Sequence, residues 1–123
     1  MTSEAPRLLL ISSSRVGSSG YLEKARPQIG GFLPDGVKEV LFIPYAAVTF
    51  GFEEYEDKVT QALEPLGIVA RSVHRCANPV AAVGEAKAIA VGGGNTFALL
   101  RRTRDAGLLG PIREAVFGGT PYM

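Results

Sequence analysis

The stretch "KAIAVGGGNTFALLRR", residues 87–102, decides the fold class of this chain. Its first five residues form a short apolar run that is typical of a buried strand in a parallel sheet. Three glycines then let the chain turn sharply, and the residues after them continue directly into a helical pattern. A strand, a tight turn and a helix in immediate succession indicate a βαβ unit, so the stretch predicts an α/β domain.

The same alternation of strand and helix patterns continues on both sides of this stretch. Right-handed crossovers between such elements give a mostly parallel sheet with helices on both faces. We therefore expect a single three-layered α/β domain over residues 1–123. The predicted strands cover residues 7–14, 37–46, 68–74, 87–91 and 120–123, and the predicted helices lie within residues 20–33, 52–67, 78–86, 96–107 and 108–119.

Three helix boundaries carry local signals. Pro27 predicts either a kink in the first helix or a helix that starts late. Gly67 predicts the end of the second helix. Asn78 followed by Pro79 is typical of an N-cap and a first helical position, which predicts that the third helix begins there.

Two groups of charged side chains are interpreted as structural. Acidic residues crowd the beginning of the second helix, where the helix dipole stabilises negative charge. Basic residues on the helix after the glycines are interpreted as a solvated face. The acidic group is Glu53, Glu54, Glu56 and Asp57, and the basic group is Arg101, Arg102 and Arg104.

The composition excludes several classes of function. The chain has 123 residues, of which 46% are apolar and 20% charged, and its net charge is +1. This balance argues against a nucleic-acid-binding surface, and no apolar stretch is long enough to cross a membrane. One cysteine and one histidine cannot build a disulfide framework or a Cys/His zinc site. We therefore predict a cytoplasmic protein without a metal or other cofactor, and with neither nucleic acid nor a membrane as partner.

The glycine loop, residues 92–95, admits two interpretations. A phosphate-binding loop is excluded because its lysine is missing, and a dinucleotide fingerprint is excluded because Phe97 stands where its last glycine is required. One remaining interpretation is a tight turn in which Asn95 or Thr96 caps the next helix. The other is a backbone cradle in which free N–H groups stabilise a developing negative charge. Spacing alone leaves both open.

Several motifs occur in an order that resembles the peptidase E family of α-aspartyl dipeptidases. The glycine loop lies within "VGGGNTFALL", and this motif is preceded by "LFIPYA" and "LLLISSS". The resemblance continues in "GYLEKARP", "YEDKVTQALEPLGI", "DAGLLGPIREAV" and the closing "GTPYM". It extends over nearly the whole chain, and the order and spacing of the motifs make it specific.

The resemblance implies a serine hydrolase that removes N-terminal aspartate from Asp-X dipeptides. Its implied fold is similar to that of class I glutamine amidotransferases, a flavodoxin-like arrangement. In the family, a strand similar to "TPYM" leads into an elbow of the form Gly-any-Ser-Ala-Gly, so the nucleophilic serine would lie three residues beyond Met123. The triad histidine and its acidic partner would follow later. We therefore expect residues 1–123 to be an incomplete domain, inactive alone, with the rest either missing or carried by a second polypeptide.

The resemblance also implies roles for individual residues. The backbone N–H of Gly94 would be an oxyanion-hole donor, with Gly93 adjacent, and the second donor would follow the missing serine. The candidates for binding the dipeptide substrate are Asn95, Thr96 and Ser13. No cofactor is implied, because the chemistry of a catalytic triad needs no metal.

Other readings remain open at this point. Cyanophycinase-like serine peptidases have a similar glycine loop and elbow, and they cut a different aspartyl peptide. A non-catalytic α/β module that binds a small anion at the glycine loop belongs to another class. A substitute nucleophile within the chain is disfavoured. The serines at 12–14 have no visible acid–base partner, and His74 and Cys76 lie at a strand end where they need not meet.

Overall fold

The computed structural model describes residues 6–10 and 25–123. Its sheet contains three parallel strands in the order β2-β1-β3. In the central strand, Leu41 is in register with Arg71 on one side and with Ile89 on the other. The strands are β1 (Glu39–Ile43), β2 (Val69–Ser72) and β3 (Ile89–Val91). The parallel α/β sheet predicted from the alternating pattern is confirmed.

The closing residues extend this sheet beyond β3. Tyr122 forms parallel bridges with Ile89 on one side and with Leu8 on the other. Main-chain hydrogen bonds join Met123 to Ile89 at 3.0 Å and Leu9 to Tyr122 at 2.9 Å. The segment around Tyr122 therefore lies between β3 and the first described residues of the chain, as a buried strand would.

Helices cover both faces of the sheet because the side chains of β1 alternate between them. Val40 and Phe42 belong to one buried cluster, which α1 and α2 cover, whereas Leu41 and Ile43 belong to a second cluster, which α3, α4 and α5 cover. The result is three layers. The helices are α1 (Arg26–Phe32), α2 (Phe52–Leu63), α3 (Pro79–Glu85), α4 (Thr96–Asp105) and α5 (Leu109–Phe117).

Several predicted boundaries are confirmed by the backbone. Pro27 lies in the first turn of α1, so this proline marks a late start. The Asn78 side chain accepts a hydrogen bond from the Ala81 N–H at 3.1 Å and caps α3. A short 3₁₀ turn after α2 ends at Gly67, which adopts the left-handed conformation with φ 71°.

The third predicted strand is shorter than the sequence indicated. The apolar run 68–74 predicts a strand to its end, but β2 stops at Ser72 and residues 73–75 form a 3₁₀ turn. The Ser72 side chain accepts a hydrogen bond from the His74 N–H, which closes this turn and ends the strand. Of the first predicted strand, only residues 7–10 belong to the described part of the chain.

Candidate active site at the carboxyl edge of the sheet

The glycine loop connects β3 to α4, and the N–H groups at its centre differ from those at its ends. The flanking N–H groups are occupied, because Gly92 donates to the Ile43 carbonyl at 3.0 Å and Asn95 donates to the Ala46 carbonyl at 2.9 Å. Between them, the N–H groups of Gly93 and Gly94 donate to no acceptor among the described residues. Both residues are exposed. The loop therefore presents two adjacent free donors at the edge where ligands bind in parallel α/β sheets.

Two of the three glycines are required by their surroundings. A Cβ on Gly92 would lie 2.6 Å from the ring of Tyr55. Gly94 has φ 144°, and a Cβ there would lie 2.5 Å from the carbonyl oxygen of Ala46. A Cβ on Gly93 would meet no atom of the described chain within 4 Å. Close approach of neighbouring groups therefore explains Gly92 and Gly94, and it does not explain Gly93.

Tyr55 contacts the glycine loop from the buried side. Its hydroxyl donates a hydrogen bond to the carbonyl oxygen of Gly93 at 3.0 Å. The side chain is 4% exposed, and its ring packs against Phe42 and Phe50 at centroid distances of 4.9 and 5.1 Å. The helical pattern of the sequence places Tyr55 on the buried face of α2, but it contains no signal for a bond to a loop 38 residues away.

Arg102 ties α4 to the loop that follows β1. Its guanidinium donates to the carbonyl oxygens of Tyr45 at 2.9 Å and Ala47 at 2.6 Å, and it lies 5.4 Å from the ring centroid of Phe52. The interpretation of this arginine as part of a solvated face is therefore wrong. Its neighbour Arg101 does fit that interpretation, because it is 80% exposed. Helical spacing alone cannot distinguish the two.

The three predicted substrate-binding residues have different surroundings. Asn95 is exposed, and its side-chain oxygen accepts the Ala98 N–H at 2.9 Å, so Asn95 is the cap of α4. Thr96 is the exposed first residue of α4 and borders an apolar cavity of about 280 Å³. Ser13 lies outside the described residues. Substrate contact by these residues stays a prediction.

At the end of β2, the polar side chains bond to one another. Ser72 is fully buried, and its hydroxyl shares a hydrogen bond with Nδ1 of His74. The Cys76 thiol donates to the Ser72 carbonyl at 3.9 Å. Among the described residues, no hydrogen bond joins His74 to Cys76. The geometry therefore gives no support to a Cys–His nucleophile.

Glu56 is a buried member of the acidic cluster, and its carboxylate has a structural role. It is 7% exposed, and its two carboxylate oxygens accept from the Ser72 N–H and from Nε of Arg75, each at 2.5 Å. The bond to Glu56 raises the pKa of Arg75 above its usual value. A position one residue after Tyr55 and three before Val59 belongs to the buried face of α2, and this spacing was the signal available in the sequence.

Two tyrosines at this edge of the sheet have perturbed phenols. Burial raises the pKa of Tyr45, and the nearby Cys76 thiol adds to the effect. Burial also raises the pKa of Tyr122. Both hydroxyls therefore stay protonated at neutral pH, so neither phenol provides a general base there.

The described residues contain no group of three or more His, Cys, Asp or Glu side chains placed to hold a metal ion. In the same part of the chain, no helix is long and apolar enough to cross a membrane. The site is thus defined by backbone groups: a strand, a glycine loop with two free N–H donors, and a helix N-terminus. Backbone donors aimed at one place are a general means of stabilising negative charge that develops during a reaction.

The comparison with known families identifies the class more narrowly. The model of Peptidase family S51 matches residues 8–123, so the chain belongs to that family. The match includes β3, the glycine loop and α4.

Curated relatives named Peptidase E are similar over almost the entire chain. The proteins from Salmonella newport (strain SL254) and Salmonella typhimurium (strain LT2) are each 44% identical over 116 residues, and that from Salmonella heidelberg (strain SL476) is 45% identical. Each alignment covers 94% of this chain and 50% of the relative. The chain therefore spans about half the length of the curated relatives it matches.

Two solved structures share the fold. A crystal structure of a protein described as peptidase E from Listeria monocytogenes EGD-e has a TM-score of 0.63 and 28% identity, and the match covers 78% of this chain and 50% of that one. A peptidase from an acI-B1 actinobacterium has a TM-score of 0.57 at 22% identity, covering 82% of this chain and 45% of that one. The second likeness concerns the fold alone.

Proposed function

We propose that this chain provides the oxyanion-stabilising part of a serine-type dipeptidase that hydrolyses Asp-X dipeptides. The observation that carries the proposal is the pair of exposed N–H groups at Gly93 and Gly94, for which residues 6–10 and 25–123 offer no acceptor. Backbone donors of this kind stabilise the negative charge that develops on the carbonyl oxygen when a nucleophile adds to the carbonyl carbon. Membership of Peptidase family S51 and the similarity to Peptidase E supply the reaction class.

The nucleophile belongs to polypeptide outside these 123 residues. Within the described residues, Ser72 is fully buried and Cys76 has no hydrogen-bonded base, so neither is suited to attack a substrate. The proposal therefore includes a second polypeptide that carries the serine, the triad histidine and the acidic residue. Loss of the nucleophile costs roughly 10⁶-fold in kcat in a serine hydrolase, so the chain alone is expected to be inactive.

The substrate assignment is tested by hydrolysis of two dipeptides by the assembled peptidase. We expect cleavage of Asp-Leu and no comparable cleavage of Leu-Leu. Replacement of the elbow serine by alanine should abolish the activity, whereas Cys76→Ala should leave it unchanged. Equal cleavage of both dipeptides would contradict aspartyl specificity. Release of aspartyl dipeptides from a polymeric substrate instead would support the cyanophycinase-like alternative.

The two-polypeptide arrangement is tested by intact-mass analysis of the protein from its natural source. The proposal predicts a second polypeptide that co-purifies with the 13.0 kDa chain and contains a Gly-any-Ser sequence. A monomeric 13.0 kDa species that unfolds cooperatively and binds a small anion at the loop would instead support the non-catalytic alternative.

A further inference from the structure

We infer that Tyr55 is a positioning residue that orients the Gly93–Gly94 peptide so that its N–H group faces the site. The inference rests on the proposed function of the glycine loop. It adds a side chain that lies on α2 and acts through the backbone of the loop.

The orientation follows from the geometry of one peptide group. A trans peptide is planar, and its C=O and N–H groups point in opposite directions. The Tyr55 hydroxyl donates to the Gly93 carbonyl oxygen at 3.0 Å from the buried side of the loop. The N–H of the same peptide belongs to Gly94, so it points away from Tyr55, toward the exposed side of the loop.

This peptide needs such a restraint because its own N–H group donates to no acceptor among the described residues. Glycine rotates easily about both backbone bonds, and a flip of the peptide would turn the N–H inward and the carbonyl outward. Hydrogen bonds to Ile43 and Ala46 hold the two ends of the loop, at Gly92 and Asn95. Between them, the bond from Tyr55 is the only hydrogen bond to the Gly93–Gly94 peptide among the described residues.

The same inference explains Gly92. A Cβ there would lie 2.6 Å from the Tyr55 hydroxyl and ring, so only glycine leaves room for the hydroxyl to reach Gly93. The ring itself is fixed by edge contacts with Phe42 and Phe50. A rigid aromatic side chain that reaches the backbone past a glycine is suited to holding one orientation of a flexible loop.

The test compares Tyr55→Phe with Thr60→Val by amide NMR of the assembled peptidase in which this chain is ¹⁵N-labelled. Tyr55→Phe keeps the ring and removes only the hydroxyl. Thr60→Val, on the same helix, removes a hydroxyl that bonds to the main chain of Ala70 at 3.2 Å, away from the loop. We expect new or shifted Gly93 and Gly94 signals in Tyr55→Phe alone, because losing one hydrogen bond changes the ratio of two orientations about 5-fold. Unmoved loop signals in a folded Tyr55→Phe protein would overturn the inference.

A second measurement uses the unsubstituted protein, so its result does not depend on whether the variant folds. The Gly94 amide proton should give no nuclear Overhauser effect to the Tyr55 ring, whereas a strong one would place the N–H inward and overturn the inference. In the assembled peptidase, Tyr55→Phe should lower kcat for Asp-Leu about 5-fold with little change in KM. Moved loop signals with unchanged kcat would support the positioning of the loop by Tyr55 and contradict its proposed oxyanion role.

Discussion

The glycine loop and the end of β2 lie at the same edge of the sheet and differ in what their polar groups do. The end of β2 contains a serine, a histidine and a cysteine, yet Ser72 is the partner of both His74 and Cys76. The glycine loop carries no reactive side chain, yet the N–H groups of Gly93 and Gly94 donate to no acceptor in the described part of the chain. His74 also has an unpartnered nitrogen among the described residues, Nε2, but that atom is buried, whereas Gly93 and Gly94 are exposed. Exposed donors therefore identify the candidate site better than the chemical type of the side chains does.

Gly94→Ala is expected to have the largest effect on this comparison. Its φ of 144° is strained for alanine, and the added Cβ would lie 2.5 Å from the Ala46 carbonyl oxygen. Together these effects should lower the free energy of unfolding by about 3 kcal/mol, measured by urea denaturation. Gly93→Ala is the matched control, because its Cβ meets no described atom within 4 Å. Equal losses in the two variants would refute the argument from close approach.

Glu56→Ala should break the hydrogen-bonded end of β2. It leaves the buried N–H of Ser72 without its acceptor, which should cost about 2 kcal/mol of unfolding free energy. Glu53→Ala is the control, because Glu53 is 73% exposed and lies 4.0 Å from Arg75. Thermal and urea unfolding should show a large effect for the first variant and almost none for the second. The reverse order would mean that the acidic cluster acts only through the helix dipole.

Arg102→Ala should destabilise the loop that follows β1, to which the glycine loop is hydrogen-bonded. It removes two hydrogen bonds to the carbonyl oxygens of Tyr45 and Ala47, with an expected loss of about 1.5 kcal/mol in unfolding free energy. Amide hydrogen exchange should also quicken at Asn95, whose acceptor Ala46 lies between those two carbonyls. Arg101→Ala, at an exposed site, should change neither quantity. Similar exchange rates in both variants would argue against a role for Arg102 in the loop.

The smallest expected effect concerns how the unfolding free energy depends on pH. It involves Tyr45, which follows the central strand β1. The pKa of Tyr45 is raised by burial and by Cys76, so the unfolded chain loses this proton first as the pH rises. The stabilising contribution is present below about pH 10 and is lost above it. Tyr45→Phe should therefore flatten the fall in unfolding free energy between about pH 9 and 11. If the unfolding free energy falls equally steeply with pH in the variant, Tyr45 is excluded as the cause of the fall.

The sequence predicted those features that depend on neighbouring residues. The alternation of strands and helices, the cap at Asn78 and the late start of α1 at Pro27 follow from local preferences, and the structure agrees. The cap of α4 was left open between two residues, and the structure selects Asn95. The glycine loop itself was apparent because three adjacent glycines are a local signal.

The support of the loop could not be predicted, because it depends on contacts between distant parts of the chain. Tyr55 and Gly93 are 38 residues apart, and Arg102 and Ala47 are 55 apart. No periodic pattern reports which buried hydroxyl or guanidinium meets which carbonyl oxygen. The early end of β2 was missed for a related reason, because a side-chain bond to His74 N–H competes with the strand.

The placement of Tyr122 between Ile89 and Leu8 has a consequence for biosynthesis. The partner of Leu8 is made 114 residues after it, as the difference between positions 8 and 122 shows. The sheet from β2 to β3 can form during translation, whereas this last pairing has to wait. The residues around Leu8 should therefore pair with Tyr122 only after β1, β2 and β3 have been made, and closing so long a loop should slow this pairing relative to the others.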